Sequence, residues 1–196
     1  MKHQSFEIGK HYHIYNRGNN KENIFIEEGN YHYFLKLLKK YLLPIADIYS
    51  YCLLPNHFHL LLRIKEEGFF PDKIKTGKTK IHQPFSNLFN AYSKAINKKY
   101  HRQGSLFQEH LKRIEITDED YLRNLIIYIN TNPSHHDIAD YSTYKFSSYN
   151  ALISTKQTLV KRNEVLVLFN DVENFKYVLQ YKKINLELIN DLTLDN

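Results

Sequence analysis

Two apolar, β-rich runs meet at the turn pair Pro55-Asn56, and this junction constrains the fold more than any other stretch of the chain. A tight turn between two such runs predicts a β-hairpin with strands over residues 45–53 and 57–64. Side chains alternate along a strand, so His57 and His59 leave from one face, about 6.6 Å apart along the chain. Buried imidazoles need partners, and two on one face can share one cation or one phosphate.

The spacing alone does not decide between a structural and a functional role for these histidines. A His-x-His pair on a strand is often an ordinary pair of polar residues on a half-exposed face. The chain contains its own comparison, because His11-Tyr12-His13 has the same spacing. A functional pair therefore has to be recognised by the partners that the fold brings to it.

The order of the predicted elements indicates an α+β fold. Residues 11–17 form the first predicted strand, and residues 111–116 form the last. A helix capped by Asn30 and ended by Pro44 follows the first strand, and a second amphipathic helix runs over residues 85–96. The order β-α-β-β-α-β predicts a ferredoxin-like (split βαβ), antiparallel four-stranded sheet with helices on one face.

A third long helix is predicted after the last strand. Thr117-Asp118-Glu119-Asp120 supplies a cap and first-turn acids, and Pro133 is expected to end the helix. Tyr128 and Asn132 lie on one stripe at the edge of its apolar face. Short helices over residues 163–169 and 174–181 predict a helical C-terminal appendage, residues 151–196, on a domain that spans residues 1–150.

The charge of the chain indicates a polyanionic partner. The chain has 196 residues, a formal net charge of +6 and a pI of about 9.1, which suits a partner such as nucleic acid. Residues 65–84 are predicted to form a long loop with five lysines. The second helix ends in a basic segment that is either a solvated helix end or a phosphate-binding patch: Lys94, Lys98, Lys99, His101 and Arg102.

Several classes of protein are excluded by what the sequence lacks. The single cysteine, Cys52, permits neither an intramolecular disulfide nor a zinc site built from cysteines. No segment approaches the ~20 apolar residues that a membrane-spanning helix needs, and the N-terminus has no apolar signal region. We therefore expect a soluble, cytoplasmic protein without a membrane partner. A Gly-rich phosphate-binding loop is also missing.

The hairpin and the third helix together predict a catalytic site. If the helix covers the histidine face, His57, His59 and Asn132 would surround a divalent cation and leave open positions for substrate oxygens. The Tyr128 phenol would then lie within reach of a bound phosphate. A free phenol titrates near ~10 and is a poor nucleophile, but a cation that polarises the phosphate assists its attack. A phosphotyrosine product keeps the phosphodiester energy, so no nucleotide cofactor is needed.

The motifs of this chain occur together in one known family. They are His57-Phe58-His59, the helix Tyr128-Ile129-Asn130-Thr131-Asn132-Pro133, and three supporting stretches in residues 12–18, 104–108 and 146–149. In this order and spacing the chain resembles single-tyrosine, HUH-type DNA transposases, and most of all the branch of REP-associated tyrosine transposases. The resemblance covers residues 10–150, the predicted catalytic domain.

The resemblance implies metal-dependent cleavage and strand transfer on single-stranded or hairpin DNA. Tyr128 would be the nucleophile that forms a 5′-phosphotyrosine and frees a 3′-hydroxyl. His57, His59 and Asn132 would bind Mg²⁺ or Mn²⁺; imidazole ligands favour Mn²⁺, and cellular abundance favours Mg²⁺. Either a monomer or a homodimer is expected. The residues expected to contact DNA are Arg17, Lys94, Lys98, Lys99, Arg102, Lys112 and Arg113.

The chain departs from the family pattern at two places. His110 stands where the family often has an arginine, and Ser134-His135-His136 replaces Val-Arg-Ala after the Asn-Pro pair. Both changes remove arginines that could contact phosphates. His11 falls outside the matched pattern, so the first histidine pair is interpreted as structural. Two other functions stay open: a hairpin-binding protein of the same fold without cleavage, and a nickase of the replication or relaxase type.

Overall fold

Four antiparallel strands form one sheet in the order β2-β3-β1-β4. The structure is a computed structural model that describes residues 5–181. The strands are β1 (His11–Arg17), β2 (Ala46–Leu54), β3 (His57–Ile64) and β4 (Lys112–Ile116). Strands β1 and β3 occupy the centre, which explains their apolar character. The predicted ferredoxin-like α+β fold is confirmed.

Seven α-helices connect and cover the strands in the described part of the chain. They are α1 (Glu28–Tyr41), α2 (Asp72–Lys75), α3 (Gln83–Lys99), α4 (Glu119–His135), α5 (Tyr149–Ile153), α6 (Arg162–Val167) and α7 (Val172–Tyr181). Two short 3₁₀ helices lie at Asn19–Lys21 and Glu67–Phe69. The predicted loop over residues 65–84 therefore contains a 3₁₀ turn and the short helix α2, and its last two residues belong to α3.

Aromatic side chains attach α1 and α3 to one face of the sheet. Phe58 points from β3 into this layer and stacks on Phe89 of α3 with ring centroids 5.5 Å apart. Its ring also lies 5.3 Å from Phe34 of α1 and 6.0 Å from Phe107. Phe34 and Phe58 are fully buried. This face is an ordinary apolar core, built from side chains that the hydrophobic pattern of each element identifies.

Helix α4 covers the opposite face of the sheet, over β2 and β3. Every residue from Asn124 to Pro133 is buried, because α7 packs on the outer side of the same helix. Phe175 and Leu179 of α7 belong to the same hydrophobic core as the sheet. The described helices of the predicted C-terminal appendage therefore pack on the main core. Residues 182–196 of that appendage lie outside the described residues.

Two predicted helix boundaries are wrong. Pro133 was expected to end the third helix, yet α4 continues through it to His135. Proline removes one backbone donor from the helix, but the fully packed surroundings hold this turn in place, and the His136 N–H donates to the Asn132 carbonyl at 3.2 Å. Asn30 is not the cap of α1, since Glu27 takes that position. The Asn30 side chain instead accepts from the backbone N–H groups of residues 26 and 27.

Candidate active site

The two histidines of β3 lie on the sheet face under α4, as strand alternation requires. His57 is 2% exposed and His59 is fully buried. Their ring centroids are 5.2 Å apart and the ring planes are nearly perpendicular, at 88°. In the neighbouring strand β1, Arg17 lies opposite His57 and Tyr15 lies opposite His59. The pair therefore lies on one central strand, β3, and is flanked by the other central strand, β1, in the most constrained part of the sheet.

One nitrogen of each ring has a hydrogen-bond partner, and the other has none among residues 5–181. His57 Nδ1 lies 2.6 Å from Asn56 Oδ1, and His59 Nδ1 lies 2.9 Å from His13 Nε2. The Nε2 atoms of His57 and His59 are buried without a partner. Burying an unpaired polar atom is unfavourable, so such atoms on neighbouring rings indicate a place for a ligand.

Asn132 adds two more buried polar atoms of the same kind. It is fully buried on α4, and neither its Oδ1 nor its Nδ2 has a partner in the described part of the chain. Its side chain interacts with the His57 ring, and this interaction raises the pKa of His57. An amide oxygen next to two imidazole nitrogens is a donor set that Mg²⁺ or Mn²⁺ accepts.

Burial keeps both histidines neutral. Burial lowers the pKa of His57 to about 3, assisted by the nearby His136 and Arg17 and opposed by Asn132. Burial, together with the nearby His13, holds the pKa of His59 well below its usual range. A neutral imidazole has a lone pair to offer, which a metal ligand needs. Both rings therefore suit metal binding without first losing a proton near neutral pH.

Tyr128 lies against His59. Its ring centroid is 5.4 Å from that of His59, in an edge-to-face arrangement at 82°, and its side chain is 3% exposed. Tyr128 and Asn132 are one helical turn apart on α4, as the sequence predicted. The structure thus brings together all four side chains of the predicted site. Their roles as nucleophile and metal ligands stay predictions.

A closed ring of hydrogen bonds fixes α4 against β2 at Asn130, midway between these two residues. The Asn130 amide donates to the Ser50 hydroxyl at 3.0 Å, and the Ser148 hydroxyl donates to Asn130 Oδ1 at 2.7 Å. Since the Ser148 proton is used, Ser50 donates to Ser148, 2.9 Å away. All three side chains are fully buried. This ring sets the rotation of α4 and hence the direction of Tyr128 and Asn132.

Three histidines near the site were missed by the sequence analysis. His13, from the pair interpreted as structural, contacts His59 directly. His136 at the end of α4 lies 4.8 Å from the His57 ring, and the His135 ring lies 6.0 Å from that of Tyr128. His135 and His136 were noted only as replacements for arginines. The signal for His13 was its place on a central strand, but pairing it with His59 requires the strand register.

The predicted DNA-contacting residues do not form one patch. Arg17 lies beside His57, and the exposed Lys112 of β4 lies on the histidine face, opposite Tyr15. Arg113 points to the other face, with its guanidinium 4.6 Å from the Phe6 ring centroid. In the basic segment, Lys99 pairs with Glu27 and Arg102 pairs with Glu22. The structure places Lys94 and Lys98 on α3 as well.

No cluster of three or more histidine, cysteine, aspartate or glutamate side chains is arranged to hold a metal ion within residues 5–181. A metal site at this position would therefore need a ligand of another kind, and the Asn132 amide is the predicted one. Within the same residues, none of the helices has the length and apolar character needed to cross a membrane.

Comparison with known proteins gives a likeness of fold. No protein-family model and no curated protein matches the sequence. Among solved structures, the chain is similar to a REP-associated tyrosine transposase bound to a REP hairpin, with a TM-score of 0.59 and 15% sequence identity. The match covers 79% of this chain and 85% of that one. At that identity, the likeness shows that this chain shares the fold of a REP-associated tyrosine transposase.

Proposed function

We propose that this protein cleaves and rejoins single-stranded DNA through a covalent tyrosine intermediate, as a transposase does. One observation carries the proposal: the Tyr128 ring lies 5.4 Å from the His59 ring, beside buried, unpartnered atoms of His57, His59 and Asn132. The fold shared with a tyrosine transposase supports this function. Buried polar atoms that have no partner within residues 5–181, on two neighbouring rings and on the helix above them, support a ligand-binding role.

His57 Nε2, His59 Nε2 and Asn132 Oδ1 would hold Mg²⁺ or Mn²⁺. When bound, the ion would polarise a phosphate and stabilise the charge that develops in the transition state. The protein's own contribution is to keep the two imidazoles neutral and the amide next to them. The closed ring through Asn130 supports this by fixing the helix that presents the amide.

The reaction would be a transesterification at phosphorus. The Tyr128 phenolate oxygen attacks the phosphorus, the new O–P bond forms, and the bond from phosphorus to the 3′ oxygen breaks. The phenol proton is lost to the medium and the 3′ oxygen takes up a proton, leaving a 5′-phosphotyrosine and a 3′-hydroxyl. Rejoining runs the same steps in reverse with a new 3′-hydroxyl, so no nucleotide is consumed.

Single-stranded DNA with a hairpin is the proposed substrate class. The solved structure of similar fold is bound to a REP hairpin, and the +6 charge of this chain suits a polyanion. Arg17 and Lys112 lie on the histidine face and are the best placed to contact backbone phosphates near Tyr128. Such a substrate agrees with the cytoplasmic location expected from the sequence.

The basic segment gives a test of DNA binding that is separate from cleavage. We expect neutralisation of Lys94 and Lys98 to flatten the salt dependence of hairpin affinity, by a slope change of about 0.7–0.9 for each phosphate that the protein no longer neutralises. Neutralising Lys99 and Arg102 should change the slope less, because both already pair with glutamates. An unchanged slope in both variants would identify the segment as a solvated helix end.

The covalent intermediate gives the direct test of cleavage. A 5′-labelled and a 3′-labelled hairpin with single-stranded flanks would be incubated with the protein and Mn²⁺, then resolved on a denaturing gel. We expect an adduct that carries the 3′-side label, is lost with EDTA and is lost in Tyr128→Phe. Tyr121→Phe, on the same helix, is the matched control and should form the adduct.

Tyr15 is the other phenol close to His59, with ring centroids 6.0 Å apart. An adduct that survives Tyr128→Phe but not Tyr15→Phe would overturn the assignment of the nucleophile. Tight hairpin binding without any metal-dependent adduct on the cognate sequence would favour the binding protein over the transposase. A peptide map of the adduct would locate the modified tyrosine in either case.

A further inference from the structure

His13 reaches the candidate active site from the neighbouring strand. It is fully buried on β1, diagonally across from His59, since the residue directly opposite His59 is Tyr15. Its Nε2 lies 2.9 Å from His59 Nδ1. The ring centroids are 5.1 Å apart with only 14° between the planes, so the rings meet edge to edge in nearly one plane. This is the geometry of a directed hydrogen bond.

The position of one proton decides what His59 can do. A hydrogen bond between two ring nitrogens 2.9 Å apart needs one donor and one acceptor, so the contact between His13 Nε2 and His59 Nδ1 holds one proton. If His13 donates, His59 Nδ1 is the acceptor, and the one N–H of the neutral His59 ring is on Nε2, so that atom cannot bind a cation. If His59 donates from Nδ1, its Nε2, which has no hydrogen-bond partner within residues 5–181, keeps a lone pair.

We propose that His13 is a positioning residue that accepts the Nδ1 proton of His59 and so holds His59 Nε2 unprotonated for the metal. The inference rests on the proposed function, because it assumes that His59 is a ligand. A histidine that binds a metal through one ring nitrogen commonly donates the N–H of the other nitrogen to an acceptor, which fixes the ring orientation and the tautomer. Here the acceptor is another imidazole, held in place by Leu61 and Ile114 on the flanking strands and by the Tyr15 ring at 4.7 Å.

The chain supplies a matched control in His11. It lies on the same strand and the same face, two residues away, but its ring packs edge-on against Tyr49 at 4.8 Å and has no contact with His59. His13→Phe removes the acceptor and keeps a planar ring of similar width. His13→Gln restores an acceptor near the position of Nε2. His11→Phe makes the same chemical change where no effect on His59 is expected.

The experiment measures Mn²⁺ binding and the His59 tautomer, neither of which requires cleavage. Mn²⁺ affinity is followed by the electron paramagnetic resonance of the free ion. The tautomer is read from ¹⁵N–¹H long-range correlation spectra of the metal-free protein. We expect His13→Phe to weaken Mn²⁺ binding about 10–100-fold, His13→Gln to restore most of it, and His11→Phe to match the wild type. The wild-type His59 should carry its proton on Nδ1, and His13→Phe should gain the Nε2–H form.

Two results would overturn the inference: a folded His13→Phe protein that binds Mn²⁺ as tightly as the wild type, or a wild-type His59 protonated on Nε2. Thermal unfolding of each variant establishes that it is folded; if His13→Phe does not fold, His13→Gln and His13→Asn carry the comparison. A wild-type protein that binds no Mn²⁺ would instead overturn the proposed metal site, and the tautomer of His59 would still test the role of His13.

Discussion

The two faces of the sheet are built differently. The face under α1 and α3 is closed by aromatic rings such as Phe34, Phe58 and Phe89, which need nothing from outside the protein. The face under α4 holds histidines and an asparagine whose buried polar atoms are not all satisfied by the described residues. The first face stabilises the fold, whereas the second buries polar atoms without partners among these residues, which costs stability.

This difference predicts opposite effects for similar truncations. Truncating a ring on the aromatic face can only lose packing, whereas removing a polar group from the histidine face also removes its desolvation cost. The following measurements test that contrast on the metal-free protein, in EDTA, so that ligand binding does not add to stability.

The largest loss of stability is expected from a truncation on the aromatic face. Phe58→Ala should lower the free energy of unfolding by about 3–5 kcal/mol, since the ring is fully buried among three other phenylalanines. Urea denaturation measures the change. Phe69→Ala is the control, because that ring is 72% exposed and should cost little. A loss below about 1 kcal/mol for Phe58→Ala would show that this face relaxes around the cavity.

The next prediction is that acid lowers the stability of the folded protein through the buried histidines of the face under α4. The folded protein keeps His13 and His57 neutral, with pKa values of about 3 against an ordinary value of 6.5. Below pH 6.5 the unfolded chain binds protons that the folded chain does not, so stability falls as the pH drops toward 3. At pH 5.5 the loss should be about 1 kcal/mol for each ring relative to pH 7.5.

Urea titrations at the two pH values measure this loss, and His13→Phe should remove one ring's share of it. Equal stability at pH 7.5 and 5.5 in the wild type would mean that the buried rings are protonated or rearranged in the folded protein.

The closed ring of hydrogen bonds through Asn130 should make a purely polar contribution to stability. Asn130→Ala leaves the Ser50 and Ser148 hydroxyls without one partner each and should cost about 2 kcal/mol. Because the three groups act together, Ser148→Ala and the double variant should show a coupling energy in a double-mutant cycle. Additive losses would indicate that the hydroxyls find other partners.

The smallest effect should have the opposite sign. Asn132→Leu replaces two buried, unpartnered polar atoms with an apolar side chain of similar size, and should raise the stability of the metal-free protein by about 1 kcal/mol. The same variant should lose any stabilisation by added Mn²⁺. A destabilised Asn132→Leu would show that the amide has a structural role on α4, and that the two faces differ less than proposed.

The sequence predicted the aromatic face better than the histidine face, for a physical reason. Hydrophobic periodicity and turn chemistry are local, so the four strands and the two helices over Phe58 followed from the chain itself. The sequence also singled out the pairs His57 and His59, and Tyr128 and Asn132, because each pair lies within one element at a regular spacing. The packing of α4 over β3 brings these two pairs together, and from the sequence it was a hypothesis supported by the resemblance.

The features that the sequence did not predict depend on contacts between secondary-structure elements. His13 was interpreted as structural because spacing alone does not distinguish its pair from the other, and only the register of β1 against β3 reveals its bond to His59. Pro133 was expected to stop α4, but the packing of the sheet and α7 around the helix overrides this local preference. His135 and His136 were considered only as replacements for residues of the family pattern, and their position at the end of α4, near the site, was not predicted.

Helix α4 presents Tyr128 and Asn132 from consecutive turns of one rigid rod, with Asn130 pinned between them. A tilt or slide that withdraws the phenol from His59 must withdraw the amide from His57 in the same stroke. Any such movement would therefore displace the proposed nucleophile and the proposed metal ligand together.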